Sequence, residues 1–215
     1  MTTSIFDRPK SLLRLTGALL AGLLACTACG LADDEQEDRD SRIYLTFEDE
    51  AFEAYCLSHF DTNGDGRFSR YEAQRVREMD CAGLGIASME TIGEFTRLER
   101  LDCSRNRLGR LDLTACTLLT SLDCTENRLT VLDVTGLRSL RTLDCRANLL
   151  PRLDLQSNGS VNRFDGRSNR FTTLDLSTCA ADLQGDVRSN PDLTAVYYRA
   201  GQQIAAESPA ELIRR

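Results

Sequence analysis

The sequence predicts an α+β protein in which a short helical cap is followed by a solenoid of short parallel strands. Three observations predict it. Apolar residues and Asn recur every 21 residues through the second half of the chain. Each repeat holds two brief alternating runs, such as Leu101-Asp102-Cys103 and Leu111-Asp112-Leu113. Ahead of the repeats, an Asp/Asn/Gly-rich stretch of 12 residues separates two helical patterns.

The repeat carries the core. Leu101, Leu122, Leu143 and Phe164 form one column, and Cys103, Cys124 and Cys145 a second, continued by Gly166 and Val187. Leu111, Leu132, Leu153 and Leu174 form a third, with Leu113, Val134, Leu155 and Leu176 two residues later. Met79 and Cys81 begin an earlier coil. Alternation turns Leu and Cys inward and Asp outward. One coil cannot bury its apolar edge alone; stacking makes the core. The unit around Leu98, Leu101, Cys103, Asn106 and Leu108 resembles a leucine-rich repeat with Cys at one Leu position. That resemblance implies a right-handed solenoid and a protein-binding role.

Asn106, Asn127, Asn148, Asn169 and Asn190 hold one position of the repeat. An amide there can bond the backbone of its own coil and the next, so a structural role is expected. The chain has 9 Cys, which in an exported protein suggests disulfides. In-register neighbours, however, stand about 4.8 Å apart, wider than a bridge allows. Buried free thiols acting as small hydrophobes are expected; a Cys56–Cys81 bridge stays open.

Residues 61–72 read DTNGDGRFSRYE. Ca²⁺ takes about six to eight oxygens, and a loop of this length can wrap them round it. Asp61, Asn63 and Asp65 stand at positions one, three and five. Gly66 allows the sharp turn, Arg67 offers its carbonyl, Ser69 stands at position nine and Glu72 closes the set. Phe52, Cys56, Leu57 and Phe60 recur at helical spacing before the loop, and Ala73, Val76 and Met79 after it. The segment resembles an EF-hand, which implies Ca²⁺. A lone loop with three carboxylates suggests dissociation on the order of 10⁻⁴–10⁻³ M.

Residues 15–25, LTGALLAGLLA, are uncharged and follow Arg8, Lys10 and Arg14. This is a basic segment before an apolar stretch too short to span a bilayer. Leu23, Leu24, Ala25 and Cys26 resemble a bacterial lipobox, which implies cleavage before Cys26 and lipidation of its thiol. Thr27 in place of Asp favours the outer membrane. Residues 31–42, LADDEQEDRDSR, read as a solvated acidic tether. Acidic tethers also resemble export signals of surface lipoproteins. The expected organisation is a signal at 1–25, a tether at 26–44, the helix-loop-helix at 45–79, the solenoid at 80–198 and a C-terminal cap or tail at 199–215. Tyr197 and Tyr198 are expected to shield the last coil, and SPAE at 208–211 offers a helix-capping box.

The outward positions of the first run are the candidate binding face: Arg100, Asp102, Asp123, Asp144, Arg146, Arg163, Asp165 and Arg167. Their charges sum to zero, and no aromatic stands among them. A polar protein partner is therefore favoured, with a glycan as the alternative. A purely structural envelope component is a third reading. The second Asp column, Asp112 to Asp175, is expected to serve turn chemistry.

Net charge is −7 and Lys10 is the single Lys. An acidic chain without a basic patch does not grip phosphate backbones, so nucleic acid is excluded as a partner. His59 is the single His, which excludes any mechanism needing two. With no phosphate loop, nucleophile elbow or base in the sequence, an enzyme is not expected. Oligomeric state is not legible here.

Overall fold

The computed structural model describes residues 42–207 and 209–215. Cys26, the apolar segment and all but the last three residues of the tether lie outside the described residues. Among those described, no helix is long and apolar enough to cross a membrane.

Among the described residues, the chain forms helices α1 (Glu50–Phe60) and α2 (Arg70–Ala73) and then twelve short strands. Strands β1 (Glu78–Asp80), β2 (Arg100–Asp102), β4 (Ser121–Asp123), β6 (Thr142–Asp144), β7 (Arg163–Asp165), β9 (Gln184–Asp186) and β11 (Gln203–Ala205) build one parallel seven-stranded wall. The register aligns Met79 with Leu101, Leu122, Leu143 and Phe164. These side chains are buried, as are Cys81, Cys103, Cys124 and Cys145 two residues on. Phe164 needs room that the Leu coils do not. Gly166, at the Cys position, supplies it: a Cβ there would lie 2.6 Å from the Phe164 ring.

The opposite wall is interrupted. Strands β3 (Arg110–Asp112) and β5 (Val131–Asp133) pair as two, and β8 (Thr173–Asp175), β10 (Ala195–Tyr198) and β12 (Glu211–Arg214) as three. The coil between them carries Pro151. In neighbouring coils the residue at this place donates to the coil before, Thr130 N–H to Gly109 at 2.9 Å and Thr194 N–H to Thr172 at 2.9 Å. Pro has no N–H. Residues 152–155 form no strand, and Val134 and Leu155 lack the inter-coil bond that Leu113 makes to Asp133 and Leu176 to Tyr197.

The Asn column ties the coils together. Asn148 Nδ2 lies 3.0 Å from the carbonyls of both Cys124 and Cys145, and its Oδ1 accepts from Leu129 N–H at 2.9 Å. Asn106, Asn127, Asn169 and Asn190 repeat the pattern. The residue before each Asn (Arg105, Glu126, Ala147, Ser168 and Ser189) takes a positive φ of 54–59°. None is Gly, so the Asn bonds hold a backbone that L-residues disfavour.

Two expectations are corrected near the first coil and at the end of the chain. The helical pattern over 70–79 stops at Ala73, because Met79 belongs to β1 in the solenoid column. Residues 211–214 form a strand, not a helix, since Val196 pairing with Leu212 outweighs a local capping signal. Residues 199–215 therefore add a coil over Tyr197 and Tyr198. The Arg215 guanidinium lies 4.2 Å from the Tyr197 ring centroid, which places the closing role beyond the tyrosines.

The helical pair packs on the first coils. Phe52, Tyr55 and Cys56 are buried in the same core, and Phe52 and Phe68 each approach Phe95, at 6.1 and 5.9 Å between centroids. Asp49 caps α1 and also accepts Ala87 N–H at 2.7 Å. Arg70 pairs with Glu94.

Candidate functional site

The outward surface of the seven-stranded wall holds two grooves. The larger, about 610 Å³, crosses β6, β7, β9 and β11 and is lined by Thr142, Asp144, Arg163, Asp165, Gln184, Asp186 and Gln203 with the strand backbone. The smaller, about 400 Å³, crosses β1, β2 and β4 and is lined by Glu78, Asp80, Arg100, Asp102, Ser121 and Asp123. The predicted face thus divides between the two grooves. Arg146 and Arg167 flank the larger one. The sequence reading missed Glu78, Asp80, Gln184, Asp186, Arg188 and Gln203, whose coils depart from the Leu-Asp-Cys pattern. Continuing the Asp column to positions 80 and 186 would have found two of them.

The Asp residues have a job in the fold. Oδ1 of Asp102, Asp123, Asp144, Asp165 and Asp186 each accepts the N–H two residues later, at 2.9–3.2 Å. The second column does the same at Asp112, Asp133, Asp154 and Asp175. Both columns are turn-forming, as expected for the second alone.

What remains free differs along the strip. Asp144, Asp165 and Asp186 are interleaved with arginines. Arg146 bridges Asp144 (2.9 Å) and Asp165 (3.7 Å), Arg167 bridges Asp165 (2.6 Å) and Asp186 (3.7 Å), and Arg188 closes on Asp186 (2.5 Å). The hydrogen bond from Arg188 leads the causes that hold the Asp186 carboxyl below its ordinary pKa, whereas burial pushes Asp144 up. At the other end, Ser104 and Thr125 replace the arginines. Asp80, Asp102 and Asp123 form no ion pair among the described residues.

The loop at 61–72 is wound in its first half. Asp61 Oδ1 accepts Gly64 N–H at 2.8 Å and Oδ2 accepts Gly66 N–H at 2.9 Å. Asn63 Oδ1 accepts Asp65 N–H at 2.9 Å, and Asp65 Oδ1 accepts Arg67 N–H at 2.8 Å. Gly64 and Gly66 both take positive φ. Glu72 is buried. Its Oε1 accepts Thr62 N–H at 2.9 Å, and its Oε2 accepts Ser69 N–H and Oγ–H in a capping box. No group of three or more His, Cys, Asp or Glu side chains is gathered as a metal cluster among the described residues. The donor set nevertheless fits a hard cation: oxygens at positions one, three and five line the loop, and Glu72 lies against its start. A cation drawing on Glu72 would have to replace its bonds from Thr62 and Ser69.

The seven described cysteines are buried and unbridged. Burial pushes every thiol up, Cys116 to about 11 and Cys81 and Cys179 to about 12. Such thiols are poor nucleophiles. His59 stacks on Tyr55 at 4.3 Å and its Nδ1 lies 2.9 Å from the Tyr55 carbonyl, a packing role.

Solved structures share this architecture. An internalin, InlF from Listeria monocytogenes, is 18% identical over 74% of this chain and 51% of its own, with a TM-score of 0.55. The chain has a leucine-rich-repeat-type solenoid fold. The functional domain of InlJ from the same organism, described as including a cysteine ladder, is 20% identical over 75% of this chain and 60% of its own, at TM-score 0.37. The leucine-rich-repeat ectodomain of the receptor kinase SOBIR1 from Arabidopsis thaliana is 18% identical over 83% and 96%, at TM-score 0.40. The solenoid thus spans about half of the matched InlF chain and 60% of the InlJ domain. No family model matches the sequence, and a search of curated proteins found no match.

Proposed function

We propose that this chain is a non-catalytic, lipid-anchored binding or adhesion protein of the bacterial envelope, and that its seven-stranded wall holds a protein partner. The observation that carries the reading is the wall itself. Seven strands in one register present polar and charged rows over two grooves, and no outward aromatic offers a sugar-stacking platform. Solenoids build extended binding faces of this kind. Of the first-position residues, Arg100 pairs with Glu78 at 2.6 Å, whereas Ser121, Thr142, Arg163, Gln184 and Gln203 make no turn bond, so they are available to a partner. Anchoring is assigned to Cys26 after loss of 1–25, with residence in the outer membrane and display at the cell surface. Ca²⁺ is assigned to Asp61, Asn63, Asp65, the Arg67 carbonyl, Ser69 and Glu72, where it would clamp the helical pair against the first coil.

The test uses the chain from residue 27 onward, immobilised and exposed to envelope and secreted protein extracts with and without calcium. Arg163→Glu with Gln184→Glu should abolish retention of the captured protein without changing the thermal midpoint. Undiminished capture by that variant, or no specific capture by the unaltered chain, would overturn the reading. For the ion, chelator should lower the thermal midpoint. At ten times the dissociation constant, calcium contributes about 1.4 kcal/mol. Asp61→Ala with Glu72→Ala should abolish the calcium-dependent shift.

A further inference from the structure

Among the described residues, the loop at 61–72 has no second loop beside it, yet its exit is not left unpaired. Residues 43–45 run antiparallel to it. Leu45 N–H donates to the Phe68 carbonyl at 2.8 Å, Arg70 N–H donates to the Ile43 carbonyl at 2.7 Å, and Tyr44 stands opposite Ser69. The contact continues through side chains. The Tyr44 hydroxyl donates to Asp65 Oδ2 at 3.3 Å, and the same oxygen accepts Asn63 Nδ2 at 3.2 Å. The Arg67 guanidinium lies over the Tyr44 ring, 3.4 Å from its centroid. Phe47 then enters the core, 5.8 Å from Phe68 and 5.4 Å from Phe52.

We propose that Ile43–Leu45 is the second strand of the calcium loop, with Tyr44 as its positioning residue, so that ion binding and docking of this upstream stretch are one coupled event. This rests on the calcium reading above. Tyr44 touches two of the expected ligand-bearing residues: Asp65 through its hydroxyl, and Arg67, whose carbonyl is position seven, through its ring. The bridge at Ser69 fixes the backbone of position nine. An ion that draws in Asp65 and the Arg67 carbonyl therefore acts on the two residues that hold the Tyr44 side chain. Linkage is reciprocal: whatever factor docking adds to ion affinity, the ion adds to docking. Residues 43–45 join the body to the acidic stretch before it, so calcium would tighten the attachment of the body to whatever holds the N-terminal side.

Amide hydrogen exchange on the full chain tests this, with calcium alone as the probe and titration calorimetry alongside. Calcium should slow exchange at Leu45 and Arg70 about fivefold or more, the usual scale of coupling between sites. Tyr44→Ala should weaken calcium by the same factor, and Tyr44→Phe, which keeps the ring and loses the hydroxyl, by less. In Asp61→Ala the slowing should vanish. If calorimetry shows calcium bound while Leu45 and Arg70 exchange at unchanged rates, or if Tyr44→Ala binds it as tightly as the unaltered chain, the coupling is refuted and the calcium site stands. If the unaltered chain binds no calcium, the site and the coupling fall together.

Discussion

One repeat builds two unlike walls. On the first, every coil from β1 to β11 bonds to the next, with an Asn carrying each of the five joins from β1 to β9. On the second, the same period meets Pro151, and the ladder stops between β5 and β8. A groove of about 520 Å³ opens there, lined by Leu132, Asp133, Arg152, Leu153, Asp154, Thr173 and Asp175. Periodic burial sets where coils stack, but each wall also needs a donor in every coil. The coil whose Pro lacks that N–H is the one where the second ladder stops, although its apolar column continues. The continuous wall is therefore the rigid face, and it is the one that displays the grooves assigned to a partner.

The largest expected difference is in the cores behind the walls. Leu122→Ala, at a fully enclosed site, should cost about 3–5 kcal/mol. Leu153→Ala, beside the break and 9% exposed, should cost about 2 kcal/mol because water and side chains can fill the space. Equal losses in urea denaturation would contradict the contrast.

The amide joins should rank next. Asn148→Ala orphans the buried Leu129 N–H and leaves the Cys124 and Cys145 carbonyls with one amide donor each, from Asn127 and Asn169, at about 2 kcal/mol. Asn158 bonds the Val134 and Leu137 carbonyls, but its buried Oδ1 has no partner. Asn158→Leu should therefore cost about 1 kcal/mol, and a larger loss than at Asn148 would reverse the ranking. Restoring the missing donor is a smaller change. Pro151→Thr should slow amide exchange at Val134 and Leu155 and add at most about 1 kcal/mol, since Pro also restricts the unfolded chain. Unaltered exchange would mean that Pro151 is not the cause of the break.

Acid titration separates the walls by sign. On the second wall, the Thr114 N–H and hydroxyl hold Asp112 below its ordinary pKa. Its contribution is present above the unfolded value, about 3.9, and is lost as pH falls through the folded one. On the first wall, burial raises Asp144. Ionisation there opposes folding at neutral pH, and the penalty is relieved as pH falls toward the unfolded value. Asp112→Asn should lose more stability at pH 7 than Asp144→Asn, and the gap should shrink at pH 3. A gap that widens on acidification would contradict the assignment.

Much of this was legible because it repeats. The Leu, Cys and Asn columns gave the stacking, the register and the structural role of the amides. What stayed hidden does not recur. Pro151 stands where Thr130 and Thr172 stand in other coils, a single exception between two threonines. Met79 fits both a helical spacing from Val76 and the solenoid column, and only the pairing of β1 with β2 decides between them. The strand at 211–214 lacks the Leu-Asp pattern and is defined by its partner. The positive φ at Arg105 and its equivalents leaves no mark, because a tertiary bond from Asn enforces it without Gly. The bridge at 43–45 is one antiparallel pair, too short for any periodic signal.

Residue-resolved amide exchange on the unaltered chain tests the contrast between the walls most directly. Cys124 and Cys145 N–H, which donate to Asp144 and Asp165 at 2.9 Å across the continuous wall, should exchange only through global unfolding. Val134 and Leu155 should exchange orders of magnitude faster, by local opening. Equal protection at all four positions would show that both walls are closed, and the assignment of one rigid face would fail.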